Sequence, residues 1–493
     1  MKTLVISIFI FLPAIYFSQT QGIAYTAVGK GVATTFLTDY HCLGVNTSSL
    51  GWGTGFEKKR FTIGSSESSV GIYSDSLNVD RLRKLYKAIR KDISGNEDTS
   101  SDWQQQREYA ADYANAGLTM DASFNWFGFS FQTEKLGGIA FSIQEQYNWF
   151  SQLNQETTEL LFEGKFAQYF DSLTIAFGND TSRISNYQGI AQDTLNAVVL
   201  GTISNPLQLS QITAGSELRM SWNRHYNFGY GRKLFGNDST FALYGGVGGR
   251  FIQSMAMLTL RSDGENIYMY SSMSPFYDIN YGAITNMNDI IQSGTLPNVV
   301  GNGYGIDLSA SARLFGKLKL GAAVNNIGSV TYTRNVYRVR DSILGDMRLN
   351  GLNNYNVTNA TNLFLEDGGI LSLESQEKYT VKNPATVRFG ASLDLDIAEL
   401  GIDVIAPFNS ENPGSILNPV YSIGGELKPI KWLRISTGYF GGGIYKHNIP
   451  VGINFLLGDG ACEFGISSRD MLSFFLDESS SVSTAFGFAR FRF

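Results

Sequence analysis

Apolar and polar residues alternate strictly along many short stretches of this chain. In 386–396, Val387, Phe389, Ala391, Leu393 and Leu395 fall on one side, and Arg388, Gly390, Ser392, Asp394 and Asp396 on the other. In 448–457, Ile449, Val451, Ile453, Phe455 and Leu457 oppose Asn448, Pro450, Gly452 and Asn454. In 317–325, Leu318, Leu320, Ala322 and Val324 oppose Lys319, Gly321, Ala323 and Asn325. A period of two with one clean apolar face is a strand with one greasy side. The other side is too charged and too rich in glycine for a packed core, and suits a hydrated or plugged lumen.

Read this way, strands fall near 57–75, 121–133, 136–149, 213–234, 240–262, 303–315, 317–330, 386–398, 400–407, 418–429, 431–442, 447–457, 460–468 and 482–493. Tight turns then fall at Glu134-Lys135, 235–239, Gly316, Glu399, Pro429-Ile430 and Gly458-Asp459. The intervening connections, 76–120, 150–212, 263–302, 331–385, 408–417, 443–446 and 469–481, are mostly long. Short and long connectors alternate, as they do in a transmembrane β-barrel with short turns at one rim and long loops at the other. The fold class predicted is all-β: an antiparallel transmembrane barrel of about 14 strands. The final stretch ends on Phe493, with Phe491, Ala489, Gly487 and Ala485 on its face and Arg492, Arg490 and Thr484 opposite. A closing aromatic strand must pair with the first, because an open edge in lipid leaves backbone N–H and C=O groups unsatisfied.

The N-terminus adds an export signal. Lys2 precedes an apolar run over 4–17 and a polar stretch over 18–21, the build of a secretory signal peptide (1–21) that is removed. No Cys follows it, which argues against a lipid anchor. No later stretch approaches the roughly 18 apolar residues of a membrane helix. Glycine accounts for 53 of 493 residues, with 34 Phe and 25 Tyr, which fits tightly turning strands and aromatic girdles. The net charge of −6 argues against nucleic acid as a partner. Of the two cysteines, Cys462 shares a face with Phe464 and Ile466 and is not expected to reach Cys42. Residues 79–93 and 102–115 are helix-friendly, and no second globular domain is expected beside the barrel (56–493).

Residues 22–55 show no alternation and carry Gly29, Gly31, Gly44, Gly51, Gly53 and Gly55. Irregular backbone at membrane depth must be shielded by protein or water, so its predicted place is inside the barrel, as a plug. No metal, cofactor or catalytic constellation stands out. The histidines are His41, His225 and His447; Ser221 shares a strand face with His225 but lies four residues away, about 13 Å at ~3.3 Å per residue. The polar sides supply candidate lumen-lining residues: Arg219, His225, Arg250, Arg388, Asp394 and Asp396. These charges either line a polar path or tie down the plug.

Gly29-Lys30-Gly31-Val32-Ala33-Thr34, then Asp39-Tyr40, then Asn46-Thr47-Ser48-Ser49-Leu50-Gly51 resembles the N-terminal hatch of FadL-type outer-membrane transporters. That family's pattern is Gly-x-Gly-Gly-Ala, an acidic residue, then Asn-Pro-Ala before Leu or Met and Gly. The match covers about a tenth of the chain. The wording of 136–142 and 324–328 is closer to Bacteroidota members. The resemblance implies a hatch or gate at Gly29, Gly31, Asp39, Asn46, Thr47, Ser48 and Leu50, and passive uptake of hydrophobic molecules across the outer membrane of a Gram-negative bacterium. Its implied partners are outer-membrane lipids and a hydrophobic ligand, detergent or lipid in the barrel; it implies no enzyme activity. Thr47 and Ser48 replace the family's Pro and Ala. An alternative therefore stays open: a non-transporting barrel that is a scaffold, binding or shuttle subunit among other outer-membrane proteins, as in type IX secretion.

Overall fold

The computed structural model describes residues 24–56, 58–74, 103–114, 116–133, 135–178, 180–187, 189–277, 288–352, 371–408, 410–416, 418–442, 445–471 and 481–493. The signal peptide and the 79–93 segment lie outside these residues.

Fourteen antiparallel strands close into a barrel. They are β1 Phe61–Tyr73, β2 Leu118–Thr133, β3 Gly137–Gln152, β4 Glu217–Asn237, β5 Phe241–Ser262, β6 Gly301–Leu314, β7 Leu318–Tyr332, β8 Thr386–Asp394, β9 Ala398–Pro407, β10 Val420–Ile430, β11 Leu433–Gly442, β12 Val451–Leu457, β13 Cys462–Ser468 and β14 Ser481–Arg492. Each pairs with its sequence neighbour, and β14 closes on β1 from Thr62↔Arg492 to Tyr73↔Ser481. The outer wall exposes Phe228, Val247, Tyr304, Leu308, Phe389, Ile402, Ile423, Ile453 and Ile466, a belt running round the strands. No water-soluble sheet presents such a belt; it is the surface of a barrel in lipid. Among the described residues no helix is long and apolar enough to cross a membrane.

Two details of the strands differ from the pattern reading. The β8–β9 turn sits at 395–397, not at Glu399, because Asp396 takes the left-handed conformation (φ 68°) that reverses the chain, leaving Glu399 paired with Asp394 inside the ladder. The second concerns faces. In β14, Arg490 and Arg492 point into the lumen as the alternation requires, but so do Gly487 and Ala485, which pack on the inner segment. An extra residue near Phe488 shifts the register between Glu463↔Arg490 and Gly465↔Gly487. β1 and β2 carry matching irregularities, at Ser66 (φ 57°) and at Trp126-Phe127. A one-residue bulge inverts every face beyond it. This row of three bulges sends Phe488, Trp126 and Phe127 to the lipid and turns Glu67 and Asn125 inward.

At the long-loop rim the chain builds a cap that alternation could not reveal. Strands Ser172–Phe177, Asp180–Ser185 and Val198–Gln208 form a sheet with Ile343–Met347 from a different loop. Helix Gln155–Glu163, N-capped by the Asn154 side chain, packs beside Trp103–Tyr113. Phe166, Leu173, Ile175, Ile190, Leu195 and Val198 give the cap a small core of its own. Loops remote in sequence thus share one sheet.

Candidate functional site

Residues 24–56 lie inside the barrel. The segment forms one turn of helix (Tyr25–Val28) and two 3-10 turns (Asp39–Cys42 and Thr47–Trp52), nearly all of it buried. Its backbone approaches the wall where the wall has no side chains. A Cβ on Gly424 would lie 1.8 Å from the Lys30 carbonyl, one on Gly231 2.2 Å from that of Thr47, and one on Gly246 2.2 Å from the Ser48 nitrogen. Much of the lumen glycine is space for the segment's main chain.

Three sets of polar contacts fix the segment. On the β13–β14–β1–β2 side, Asp39 meets Arg490, which also donates to Glu463 at 2.9 Å; Arg492 pairs with Glu463 as well. Beside them Glu67, turned inward by the bulge, accepts from Tyr40 Oη at 2.5 Å and Asn125 Nδ2 at 2.9 Å, and lies 3.0 Å from His41 Nε2. On the far side Asp403 Oδ2 accepts from the Ala33 and Thr34 backbone N–H groups (2.7 and 2.9 Å) and from the Thr34 hydroxyl (3.0 Å), while Lys30 pairs with Glu426 at 2.8 Å. Toward the short-turn rim, the Ser48 hydroxyl lies 2.7 Å from Ser311 Oγ, Thr47 Oγ1 lies 2.8 Å from Ser309 Oγ, and Gln132 Nε2 donates to the Leu50 carbonyl at 3.0 Å. Asn46 works within the segment: its Nδ2 donates to the Thr34 carbonyl at 2.8 Å and its Oδ1 accepts from Ser48 at 2.6 Å. Gly29 abuts Gly452, and Gly31 takes φ 71°.

Above the segment, toward the cap, lies a cavity of about 150 Å³. Its floor is Ala27, Val28, Val32, Leu37 and Leu43 of the segment. Ile405, Ile416, Val420 and Phe440 give one wall apolar surface between Arg388, Asp403, Ser422 and Arg469; Ser123, Gln144, Gln146, Asn148 and Asn227 make the opposite wall polar and uncharged but for Asp121. The outer loop at 410–416 reaches in over it, held by Arg219, which donates to the Asn412 carbonyl at 3.3 Å and stacks its guanidinium 4.4 Å from the Phe150 ring.

The lumen candidates separate by height. Arg250 and Arg388 line the cavity, Arg250 bound to Asp307 at 2.8 Å. Buried His225 sits in the wall beside Gln144, while Ser221 is partnered by Asn148 at 3.4 Å. Asp394 lies at the opposite rim against Lys428 at 3.1 Å. Asp396 does not line the lumen: it is an exposed residue of the β8–β9 turn, 3.3 Å from Lys317, because the chain reverses there. Glu67, Asn125 and Arg490 are the anchors that the pattern reading did not single out, whereas Asp403 was among the lumen charges it assigned to tying down the plug. The one local signal was Trp126-Phe127, two adjacent aromatics that break the alternation beside Asn125. Among the described residues no group of three His, Cys, Asp or Glu side chains could hold a metal ion. Both cysteines are free thiols.

Barrel, lipid-facing belt and filled lumen together define a plugged transmembrane β-barrel. Residues 181–464 match the family described as "Family of unknown function (DUF5723)", and the chain belongs to that family. Curated proteins give no match. Solved structures similar to it include the Ralstonia pickettii toluene transporter TbuX (11% identity, 96% of this chain and 99% of that one, TM-score 0.42). The Pseudomonas putida toluene transporter TodX is similar at 9% identity (97% and 99% covered, TM-score 0.37), as is a Pseudomonas aeruginosa FadL homologue at 9% (97% and 98%, TM-score 0.38). These overlaps are loose.

Proposed function

We propose that this barrel sits in the outer membrane of a Gram-negative bacterium, its signal peptide removed, and admits small molecules with an apolar body by passive uptake, with residues 22–55 as its hatch. The observation that carries this reading is the cavity whose floor is the segment itself. A ligand bound there touches Ala27, Val28, Val32, Leu37 and Leu43, so occupancy and hatch position are linked. A shaped, largely enclosed pocket with an apolar surface and a few placed polar groups is what small-molecule binding requires. Gly29, Asp39, Asn46, Thr47, Ser48 and Leu50 would hold the hatch without lining the cavity, whereas Gly31 lines it.

The test is accumulation of hexylbenzene, hexanoate and hexyl glucoside in cells with and without the barrel. Faster entry of at least one supports the reading; equal entry of all three overturns it. A Ser48→Cys/Ser311→Cys pair, whose hydroxyls already lie 2.7 Å apart, then examines the gate. Oxidation is expected to stop uptake and reduction to restore it. Equal rates with the bridge verified would show that the segment does not gate.

A further inference from the structure

The cavity's polar wall is ordered. Side chains from β2, β3 and β4 face the lumen in lateral rows set by the ladder. Asp121, Asn148 and Ser221 form one row; Ser123, Gln146 and Asn223 the next; Asn125, Gln144 and His225 the third. Most of these are amides or hydroxyls, groups that both donate and accept. Of these nine, Asp121, Ser123, Gln144, Gln146 and Asn148 line the cavity, and among the cavity's other lining groups the Oδ1 atom of Asn326 is buried without a hydrogen-bond partner. Asn326 is nine-tenths buried and lines the cavity. Leaving such atoms against hydrocarbon is costly.

The charges at the cavity are largely matched. Arg250 is bound to Asp307 at 2.8 Å, Arg388 lies within the field of Asp403, and Arg469 sits 5.5 Å from the Phe440 ring with Asp121 on the opposite wall. Among the described residues no cluster of spare cations is set out for an anionic head group.

Building on the uptake reading above, we infer that the preferred ligand is a neutral amphiphile, one side rich in hydroxyl, carbonyl or amide groups and the other apolar. The amide lattice of β2–β4 would take the polar side, and Ile405, Ile416, Val420 and Phe440 the other. Neither a bare hydrocarbon nor a simple carboxylate satisfies both walls.

Binding of hexyl glucoside, hexanoate and hexylbenzene to the full barrel in nanodiscs, measured by calorimetry with empty nanodiscs subtracted, tests this. The glucoside is expected to bind at least tenfold more tightly than the other two. Gln146→Leu is expected to cost the glucoside at least tenfold and leave hexylbenzene unchanged or tighter. Tighter binding of hexylbenzene or hexanoate would overturn the ligand class while leaving hydrophobic uptake intact. Binding of none of the three would overturn both. The wild-type ranking decides even if Gln146→Leu does not fold.

Discussion

Arg490 is the residue on which the hatch's attachment to the closing strands turns, and Arg490→Met isolates it. The guanidinium bridges Asp39 of the segment and Glu463 of β13, all three side chains at most 7% exposed. Removing it leaves Glu463 with Arg492, but leaves Asp39 with only its own turn's His41 N–H at 3.1 Å and a distant Arg492 at 4.0 Å. Stranding one partner of a buried pair costs about 3–5 kcal/mol. At about 1.36 kcal/mol per decade, the docked-to-undocked ratio falls by roughly two to three and a half orders of magnitude.

Cys42 reports this directly, since it lies fully buried in the same 3-10 turn as Asp39. In a Cys462→Ser background, labelling by a membrane-impermeant maleimide tracks the opened population when reclosing is fast. Arg490→Met should accelerate labelling at least a hundredfold. Adding Asp39→Asn, which suits the φ of 52° at that position, should recover at least tenfold by removing the stranded charge. Arg340→Met, which breaks an exposed pair with Glu374, should change nothing measurable. If Arg490→Met labels at the wild-type rate, the cluster does not hold the hatch and the reasoning fails.

The packing predicts two more outcomes. Gly424→Ala puts a methyl 1.8 Å from the Lys30 carbonyl, a main-chain atom that cannot swing aside, so it should expose Cys42 at least tenfold; Gly249→Ala, whose nearest neighbour is 3.9 Å away, should not. In the cap, burial pushes the Glu163 carboxyl up to about 7 despite the Arg107 guanidinium beside it. Since the folded cap holds this proton more tightly than the unfolded chain, its stabilisation is complete below about pH 4.5 and is lost as pH rises through 7. The loss is of order 3 kcal/mol. The hydrogen-exchange protection factors of 103–113 and 155–163, taken relative to the intrinsic rate at each pH, should therefore fall from pH 5 to pH 8 in the wild type but not in Glu163→Gln; a wild-type protection that does not change with pH refutes it.

What could be read in the sequence was what local periodicity encodes. Each barrel strand presents one face to lipid and one to the lumen, so the period of two survives without knowledge of partners, and the fourteen strands are legible. A bulge is invisible to such counting until the parity fails, as it does at Trp126-Phe127 and at Gly487–Phe488–Ala489. The cap was not legible because Ile343–Met347 pairs with Val198–Gln208 across more than a hundred residues, and short mixed strands carry no period of their own. The inner segment carries a motif that resembles a hatch, and Asp39, Asn46 and Ser48 of that motif make the buried contacts described above. Their partners were not legible, because barrel closure alone brings Arg490 to Asp39, and bulging alone brings Glu67 to His41.

The way the segment is held also limits how it can move. Residues 46–52 rest on Gly231, Gly246, Ser309 and Ser311 through main-chain and hydroxyl contacts, and none of them lines the cavity. The floor is made by residues 24–44, anchored through Lys30, Thr34 and Asp39. A ligand can shift an equilibrium only through contacts that differ between its two states. Whatever force a ligand exerts therefore falls on the 24–44 half first. The side chain of Asn46 joins the Thr34 carbonyl to Ser48, and so couples the 24–44 half to the 46–52 half nearest the short-turn rim, beside the backbone bonds of Val45 and Asn46 to the Cys42 carbonyl. On the uptake reading proposed above, Asn46 is therefore a link through which a change at the cavity floor reaches the 46–52 half, and the Thr47-Ser48 pair lies directly beyond it.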